Sequence, residues 1–534
     1  MSDMIVCRMK SYIQPFERHL AVSELSALSG APLSADDCQG TNLEVATRVS
    51  AQTLANRLSF YEFVRDDKRQ IATSQVLREA TLYVARNGIP ITEIRKQLPV
   101  KDGATLPNRR CLRYGTHGIH EYRGKFFPQL VRSLINIAKV PVGGIVADPM
   151  CGSGTTLVEG ALAQYRSVGL DMNPLSVFMS NVKCTLLKSD PDFLAGQYHR
   201  VRDDLLEAKP RLAAKRLSYF RTLHPKDQEY LKDWFAPQVL EDLDIVAERI
   251  ALVGDPTVRD FMRLALSNIL RRVSWQKEDD LRVRKEIRSD VEIDPIRDFL
   301  EELGRSVRIV AAFLYQIKGS TLGKAQATEG DARMMTGEWA DLAGKVSAVV
   351  TSPPYATALP YLDTDRLSLC YLGLLSRDGH RGRDKEMIGN REITEGVRRE
   401  YWGRLRKQGK ILPRSVVRLI GKIELLNTNA NVGFRRRNLP ALLAKYFFDM
   451  REVLAGIAQV LKAGSPAFVV VGDNHTIAGG MRVNIETARL LAEIGVTVGL
   501  EEGKHLPMEM LVSRDIFRRN AVGSETILEF RKPC

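Results

Sequence analysis

The apolar positions of this chain switch between short continuous runs and helical spacing, and the switches mark its elements. Ile145 to Ala147, Arg166 to Leu170, Val346 to Val350 and Ala467 to Gly472 read as strands, the last two as fully buried ones. A short strand ends at Asp331, and two more, near Thr497 to Leu500 and Glu525 to Arg531, close the chain. Between them apolar residues recur at three- and four-residue intervals. Leu130, Val131, Leu134, Ile135 and Ala138 follow Pro128, and Leu157, Val158, Ala161 and Leu162 follow a helix start near Thr155. Tyr446 to Leu461 and Ile485 to Ile494 repeat the pattern. Strands alternating with helices predict an α/β fold with a doubly wound, Rossmann-like sheet.

Three stretches interrupt the alternation. Residues 1–110 read as a mostly helical, polar N-terminal region. Within it Leu77 to Leu98, broken by Gly88 and Pro90, has the outline of a helix-turn-helix or of an ordinary helical hairpin. Residues 186–325 read as a helical insertion, periodic from Asp227 to Leu252 and from Thr257 to Val273. Residues 376–445 form a basic insertion. The α/β domain is thereby divided into a first half at 111–185, a second half at 326–375 and C-terminal strands at 446–534.

Charge adds a partner to this picture. The chain has 534 residues, a formal net charge of +14 and a pI of about 9.4, which favours a polyanion. Residues 376–446 hold 18 Lys plus Arg against 7 Asp plus Glu, most of that excess. Tyr401, Trp402 and Phe434 lie among these charges, and Arg404, Arg406, Lys407, Arg435, Arg436 and Arg437 are candidate phosphate contacts. A solvated helical surface is the plainer reading of such a run. The seven cysteines are scattered and form no Cys-x-x-Cys, and the histidines form no metal-spaced cluster, so neither a disulfide framework nor a metal site is expected. With no long apolar run and no signal-peptide pattern at the N-terminus, a reducing cytoplasm is the expected compartment, and no membrane partner.

Two stretches carry candidate chemistry. Thr351-Ser-Pro-Pro-Tyr ends the Val346 to Val350 strand, where Pro353 and Pro354 remove two backbone donors. Ser352 and the Pro353 carbonyl are acceptors able to hold an amino group, and Tyr355 offers a face for a planar base. Asp148-Pro-Met-Cys-Gly-Ser-Gly-Thr-Thr joins a strand to a helix through a Gly-x-Gly turn that admits a ligand close to the backbone. The P-loop Lys-Ser/Thr is missing. A carboxylate, Asp148, stands at the strand end instead and suits a ligand with an ammonium and hydroxyls. Asp171 ends the next strand, where an acid commonly holds ribose hydroxyls.

These residues resemble the cofactor and catalytic motifs of the S-adenosylmethionine-dependent amino-methyltransferases of DNA. The Ser-Pro-Pro-Tyr version resembles the cytosine-N4 group; adenine-N6 enzymes more often have Asp or Asn before Pro-Pro. Lys125-Phe-Phe-Pro-Gln resembles the segment that packs on the methionine part of the cofactor, and Tyr361, residues 367–372 and the closing strand also look like family sequence. The cofactor motif is also close to that of methyltransferases acting on guanine amines in tRNA and rRNA, and a DNA-binding regulator on a degenerate methyltransferase fold is the non-enzymatic alternative.

The resemblance implies S-adenosyl-L-methionine as cofactor, double-stranded DNA as substrate, and a cognate restriction or defence protein as companion. It places Lys125, Phe126, Asp148, Pro149, Cys151, Gly152, Ser153, Gly154, Thr155, Asp171, Met172, Asp331 and Ala332 around the cofactor, with Asp148 near its ammonium, Asp171 on the ribose and Asp331 on the adenine amine. Ser352, Pro353, Pro354 and Tyr355 are the catalytic set, acting on a base flipped from the duplex. No cysteine nucleophile of the C5-cytosine type is present: the Pro-Cys pair is Pro533-Cys534, at the end of the chain, and Cys151 reads as packing.

Overall fold

The computed structural model describes residues 3–34, 40–86, 89–100, 106–122, 124, 126–208, 217–277, 283–287, 292–356, 361–390, 393–428, 430–509 and 524–534. The chain begins with an antiparallel sheet of β1 (Asp3–Met9), β2 (Asn42–Thr47), β3 (Tyr61–Arg65) and β4 (Gln70–Ala72), in the order β2-β1-β3-β4. This corrects the expectation of a helical N-terminal region. In β1 the inward positions are Ile5, Cys7 and Met9, and in β2 Leu43, Val45 and Thr47. These are period-two patterns of six or seven residues, overshadowed by the longer helical stretches Pro15–Ser29 and Ser74–Val84. Within the Leu77 to Leu98 stretch the second helix is short, Ile91–Lys96, and its buried Ile94 packs with Ala85 and Ala312; Gly88 lies outside the described residues.

The main sheet is built from β5 (Ile145–Asp148), β6 (Arg166–Asp171), β7 (Ala325–Glu329), β8 (Ala348–Thr351) and β9 (Pro466–Gly472), all parallel. A hairpin of β10 (Asn474–Ala478) and β11 (Met481–Ile485) follows, in a stretch the apolar pattern had left blank. β12 (Glu501–Glu509) and β13 (Ser524–Arg531) complete a seven-stranded sheet in the order β12-β13-β9-β8-β5-β6-β7, with β13 antiparallel to both neighbours. The chain winds from β5 outward through β6 to β7, then returns to β8 and winds the other way. The reversal falls between β5 and β8, and ligands bind at such a switch point, beyond the strand C-termini.

Both faces of the sheet are covered. Val146, Ala348, Val350, Phe468 and Val470 pack on one side against the helix Pro128–Ile137 and the apolar residues of the N-terminal sheet, so residues 1–110 share a core with the main domain. Ala147, Val349, Val469 and Val471 pack on the other side with the helices Phe434–Val460 and Thr487–Thr497. The 186–325 stretch is helical as expected. Its helices Pro191–Ala208, Pro237–Ala251, Pro256–Val273 and Pro295–Ile317 pack with the helices Thr155–Leu162 and Pro174–Leu186.

Buried charges tie the N-terminal region to this core. Glu159 accepts from Tyr114 Oη at 2.7 Å, His117 Nε2 at 2.9 Å and Arg132 Nη1 at 3.4 Å. Arg132 also donates to the carbonyls of Asn56 and Arg57. Its cationic neighbours hold the Glu159 carboxyl down at about 2 against the desolvation of a fully buried site.

Candidate active site

The catalytic loop is fastened to the glycine loop from below. Thr351, the last residue of β8, donates its hydroxyl to Asp148 Oδ1 at 2.7 Å, and Thr156 donates to the Val350 carbonyl at 3.1 Å. The two strand ends on either side of the switch point are thus cross-linked through side chains, and the chain leaves β8 at Ser352 with little freedom. Ser352 and Pro354 face a hollow of about 750 Å³, open to solvent, whose other walls include Cys151, Gly152, Ser153, Thr155, Asp171 and Met172. Pro353 is buried beneath them.

The glycine loop has the shape its sequence implies. Gly154 sits at φ 76°, and a Cβ there would come within 2.7 Å of Ser180 Oγ and 2.9 Å of its Cα. A Cβ on Gly152, at φ 48°, would press on the Tyr122 ring at 3.0 Å. Ser180 donates to the Gly152 carbonyl at 2.9 Å and Lys183 Nζ to the Ser153 carbonyl at 2.9 Å, so the loop is held by the helix Pro174–Leu186. Cys151 is buried and its thiol is pushed well above the ordinary range by desolvation, which agrees with a packing role.

Asp148 is fully buried below the loop. Burial raises its carboxyl to about 7, although Thr351 and the Met150 N–H donate to it. Its Oδ2 has no hydrogen-bond partner among the described residues. Asp171 lines the hollow, accepts from the Gly152 N–H and the Asn173 N–H at 2.8 Å each, and is raised to about 6 by burial. An orphaned buried acceptor, a second carboxylate one strand away and a glycine turn without room for side chains fit a ligand with an ammonium and a diol.

At the β7 end the hollow is lined by Gly330 and Ala332. The Asp331 carboxylate turns away to the Arg333 guanidinium, at 2.6 Å, which also reaches Asp449 at 3.1 Å. The opposite wall comes from the basic insertion: Met387 and Ile388, just after the helix Arg377–Glu386. Three cations pin this strap. Arg383 donates to the Met172 carbonyl at 2.6 Å and to Glu329 at 2.7 Å, Arg333 to the Glu386 carbonyl at 2.9 Å, and Lys445 to the Met387 carbonyl at 3.1 Å.

Sequence reasoning missed Met387, Ile388, Arg383, Tyr122 and Asn173. The available signal was an apolar pair, Met387-Ile388, stranded in a charged run. Phe126 lines the hollow; Lys125 lies outside the described residues. Pro149 lines it as well, with Met150.

Tyr355 stands outside the hollow, and its hydroxyl donates to Glu525 of β13. Arg406, Lys407, Arg435, Arg436 and Arg437 are exposed. Arg404 is half-buried, its guanidinium 4.2 Å over the Phe448 ring and 3.7 Å from Glu452. Tyr401 and Trp402 pack against Ile393, Ala441 and Leu442. Among the described residues there is no cluster that could hold a metal ion, and no helix is long and apolar enough to cross a membrane.

Sheet order, glycine loop and the hollow at the switch point together define a Rossmann-like α/β fold with a ligand site beyond its strand ends, and the proteins it is similar to are methyltransferases. The comparisons with known proteins agree. Residues 120–193 match the family described as UPF0020, RMKL-like, methyltransferase domain. The chain is 26% identical over 391 residues to the Type II methyltransferase M.MvaI of Kocuria varians, covering 71% of this chain and 80% of that one. It is also 26% identical over 224 residues to the Type II methyltransferase M.MjaII of Methanocaldococcus jannaschii, where it spans 42% of the relative's length. A local stretch of 50 residues, 9% of this chain and 14% of the relative, is 40% identical to the tRNA (guanine(10)-N2)-dimethyltransferase of the same archaeon.

Proposed function

We propose that the protein is a DNA methyltransferase that uses S-adenosyl-L-methionine to methylate the exocyclic amine of a flipped base, cytosine N4. One observation carries this reading: Ser352 and Pro354 share a hollow with Gly152 and Asp171, so the Ser352 hydroxyl, an acceptor for an amine, faces the site suited to the cofactor. The similarity to Type II methyltransferases over most of the chain supports DNA as the substrate.

When bound, the cofactor supplies an electrophilic methyl on a sulfonium. The protein's part is binding and aim. Asp171 would take ribose hydroxyls on its remaining lone pairs, Met172, Ala332 and Ile388 would provide apolar walls for the adenine, and Asp148, beneath the loop and outside the walls of the hollow, would favour the ammonium through its charge. The strap anchored by Arg383 shields this end from water.

An aromatic amine is a poor nucleophile because its lone pair is delocalised into the ring. Ser352 Oγ and the Pro353 carbonyl accept its two hydrogens, which favours a tetrahedral nitrogen and turns the lone pair towards the methyl. Because Thr351 and the two prolines fix this loop in advance, little reorganisation accompanies the transfer. Stacking on Tyr355 returns roughly 1–3 kcal/mol of the cost of flipping.

The test is nucleoside mass spectrometry of duplex DNA and of tRNA after incubation with methyl-labelled cofactor. N4-methylcytosine in DNA is expected. N6-methyladenine would move the target base, and label in guanine of tRNA alone would favour the second reading, which the 50-residue match to a tRNA guanine-N2 enzyme motivates.

A further inference from the structure

β13 runs antiparallel to β9 and pairs Glu525 with Gly472, the last residue of β9. Its first residues therefore lie at the edge where β8 and β9 deliver the catalytic loop. From there the Glu525 carboxylate reaches Tyr355 and accepts its hydroxyl hydrogen. Glu525 is half-buried; burial pushes its carboxyl above the usual range, and the Tyr355 hydroxyl offsets this in part. No described cation lies within ion-pair distance of it.

The geometry of the loop gives the contact a role. Pro353 and Pro354 fix the backbone that carries Tyr355, which leaves the ring its two side-chain torsions. Tying the hydroxyl at the far end of the ring fixes χ1 and so where the ring stands, while its rotation about the Cβ–Oη axis is limited by packing against the apolar core. Neither Tyr355 nor Glu525 lines the cofactor hollow, so the pair is free to serve the base alone.

We propose that Glu525 is a positioning residue for the reaction: by accepting from the Tyr355 hydroxyl it fixes the place of the ring on which the target base stacks. This rests on the proposed function and adds a residue that lies 170 positions from its partner.

The test is methyl transfer to DNA under single-turnover conditions, with full-length protein and saturating cofactor, for Tyr355→Phe, Glu525→Ala, Glu525→Gln and the double variant Tyr355→Phe/Glu525→Ala. Tyr355→Phe and Glu525→Ala should each slow transfer about tenfold. The double variant should be no slower than either, and Glu525→Gln should recover most of the rate because its amide oxygen still accepts. Cofactor binding, measured by calorimetry on the same preparations, should not change.

Additive losses, a wild-type rate for Tyr355→Phe, or loss of cofactor binding with the rate would overturn the positioning role. If Glu525→Ala does not fold, Tyr355→Phe and Glu525→Gln, which keep side-chain volume, decide the matter. A wild-type protein that labels tRNA and not DNA overturns the substrate reading instead, and the same cycle is then run on that base.

Discussion

Asp148 and Asp171 are two carboxylates held above their ordinary value, to about 7 and about 6, and in both burial is the cause. For an acid raised in this way the folded protein binds the extra proton between the unfolded value of 3.8 and the raised one. Stability from these groups is therefore present at low pH and declines as pH rises through 3.8 to about 7. Ligand binding has the opposite sign: a cation held in the hollow near Asp148 favours the ionised form. On the proposed reading, cofactor affinity should fall by about tenfold per pH unit below about 7, steepening below about 6 where Asp171 also takes up a proton. Calorimetry across that range, in buffers of different ionisation heat, would count the released protons. Asp148→Asn should bind more weakly and show a flatter profile near pH 7.

At the scale of elements, the strap after the helix Arg377–Glu386 does the work of a wall. Arg383→Ala should weaken cofactor binding by about three- to tenfold while leaving the thermal midpoint close to wild type, because its pairing with Glu329 is half-exposed and screened. Calorimetry and a thermal melt separate the two effects. The helix Phe434–Val460 leads into β9 through a short turn and packs on the sheet, so it runs antiparallel to that strand. At 27 residues it is about 40 Å long, against about 23 Å for β9. Its first turn, with Arg435, Arg436 and Arg437, therefore stands beyond the active-site edge. Replacing these three with Ala should reduce the slope of log affinity for DNA against log salt by about 2 to 3; an unchanged slope would remove them from the interface.

The two loops of the site were legible in the chain because their chemistry is local. A strand followed by Pro-Pro, or by Gly-x-Gly, forces its own geometry within a few residues. The strap was not, because Met387 and Ile388 become a wall only when Arg383, Arg333 and Lys445 fasten them to three other elements. Asp331, expected to end its strand, stands two residues beyond β7 as the cap of the following turn, and the direction of its carboxylate depends on Arg333 two residues on and Asp449 far away. The N-terminal sheet was hidden for a similar reason: its strands are short, and β1 is separated from both its partners, β2 and β3, by helices.

In the whole molecule, the N-terminal region is joined to the methyltransferase core by an apolar cluster and by the charges around Glu159. That carboxyl is depressed to about 2, so its contribution is present above the ordinary value of 4.5 and is lost as pH falls from there towards 2. Glu159→Gln leaves Arg132 buried without its anion and should cost roughly 3–5 kcal/mol in urea unfolding at neutral pH. The gap between wild type and variant should narrow on acidification below 4.5. A separate early transition for residues 1–110 would contradict the shared core.

One stretch of sequence, 376–445, both roofs the hollow through Met387 and Ile388 and presents surface arginines, Arg406 among them, to solvent. A polyanion that settles on those arginines would engage the same segment that roofs the hollow. By thermodynamic reciprocity, whatever factor the nucleic acid adds to the residence of the cofactor, the cofactor adds to that of the nucleic acid. On the proposed reading, duplex and methyl donor would each alter the hold of the protein on the other by one common factor.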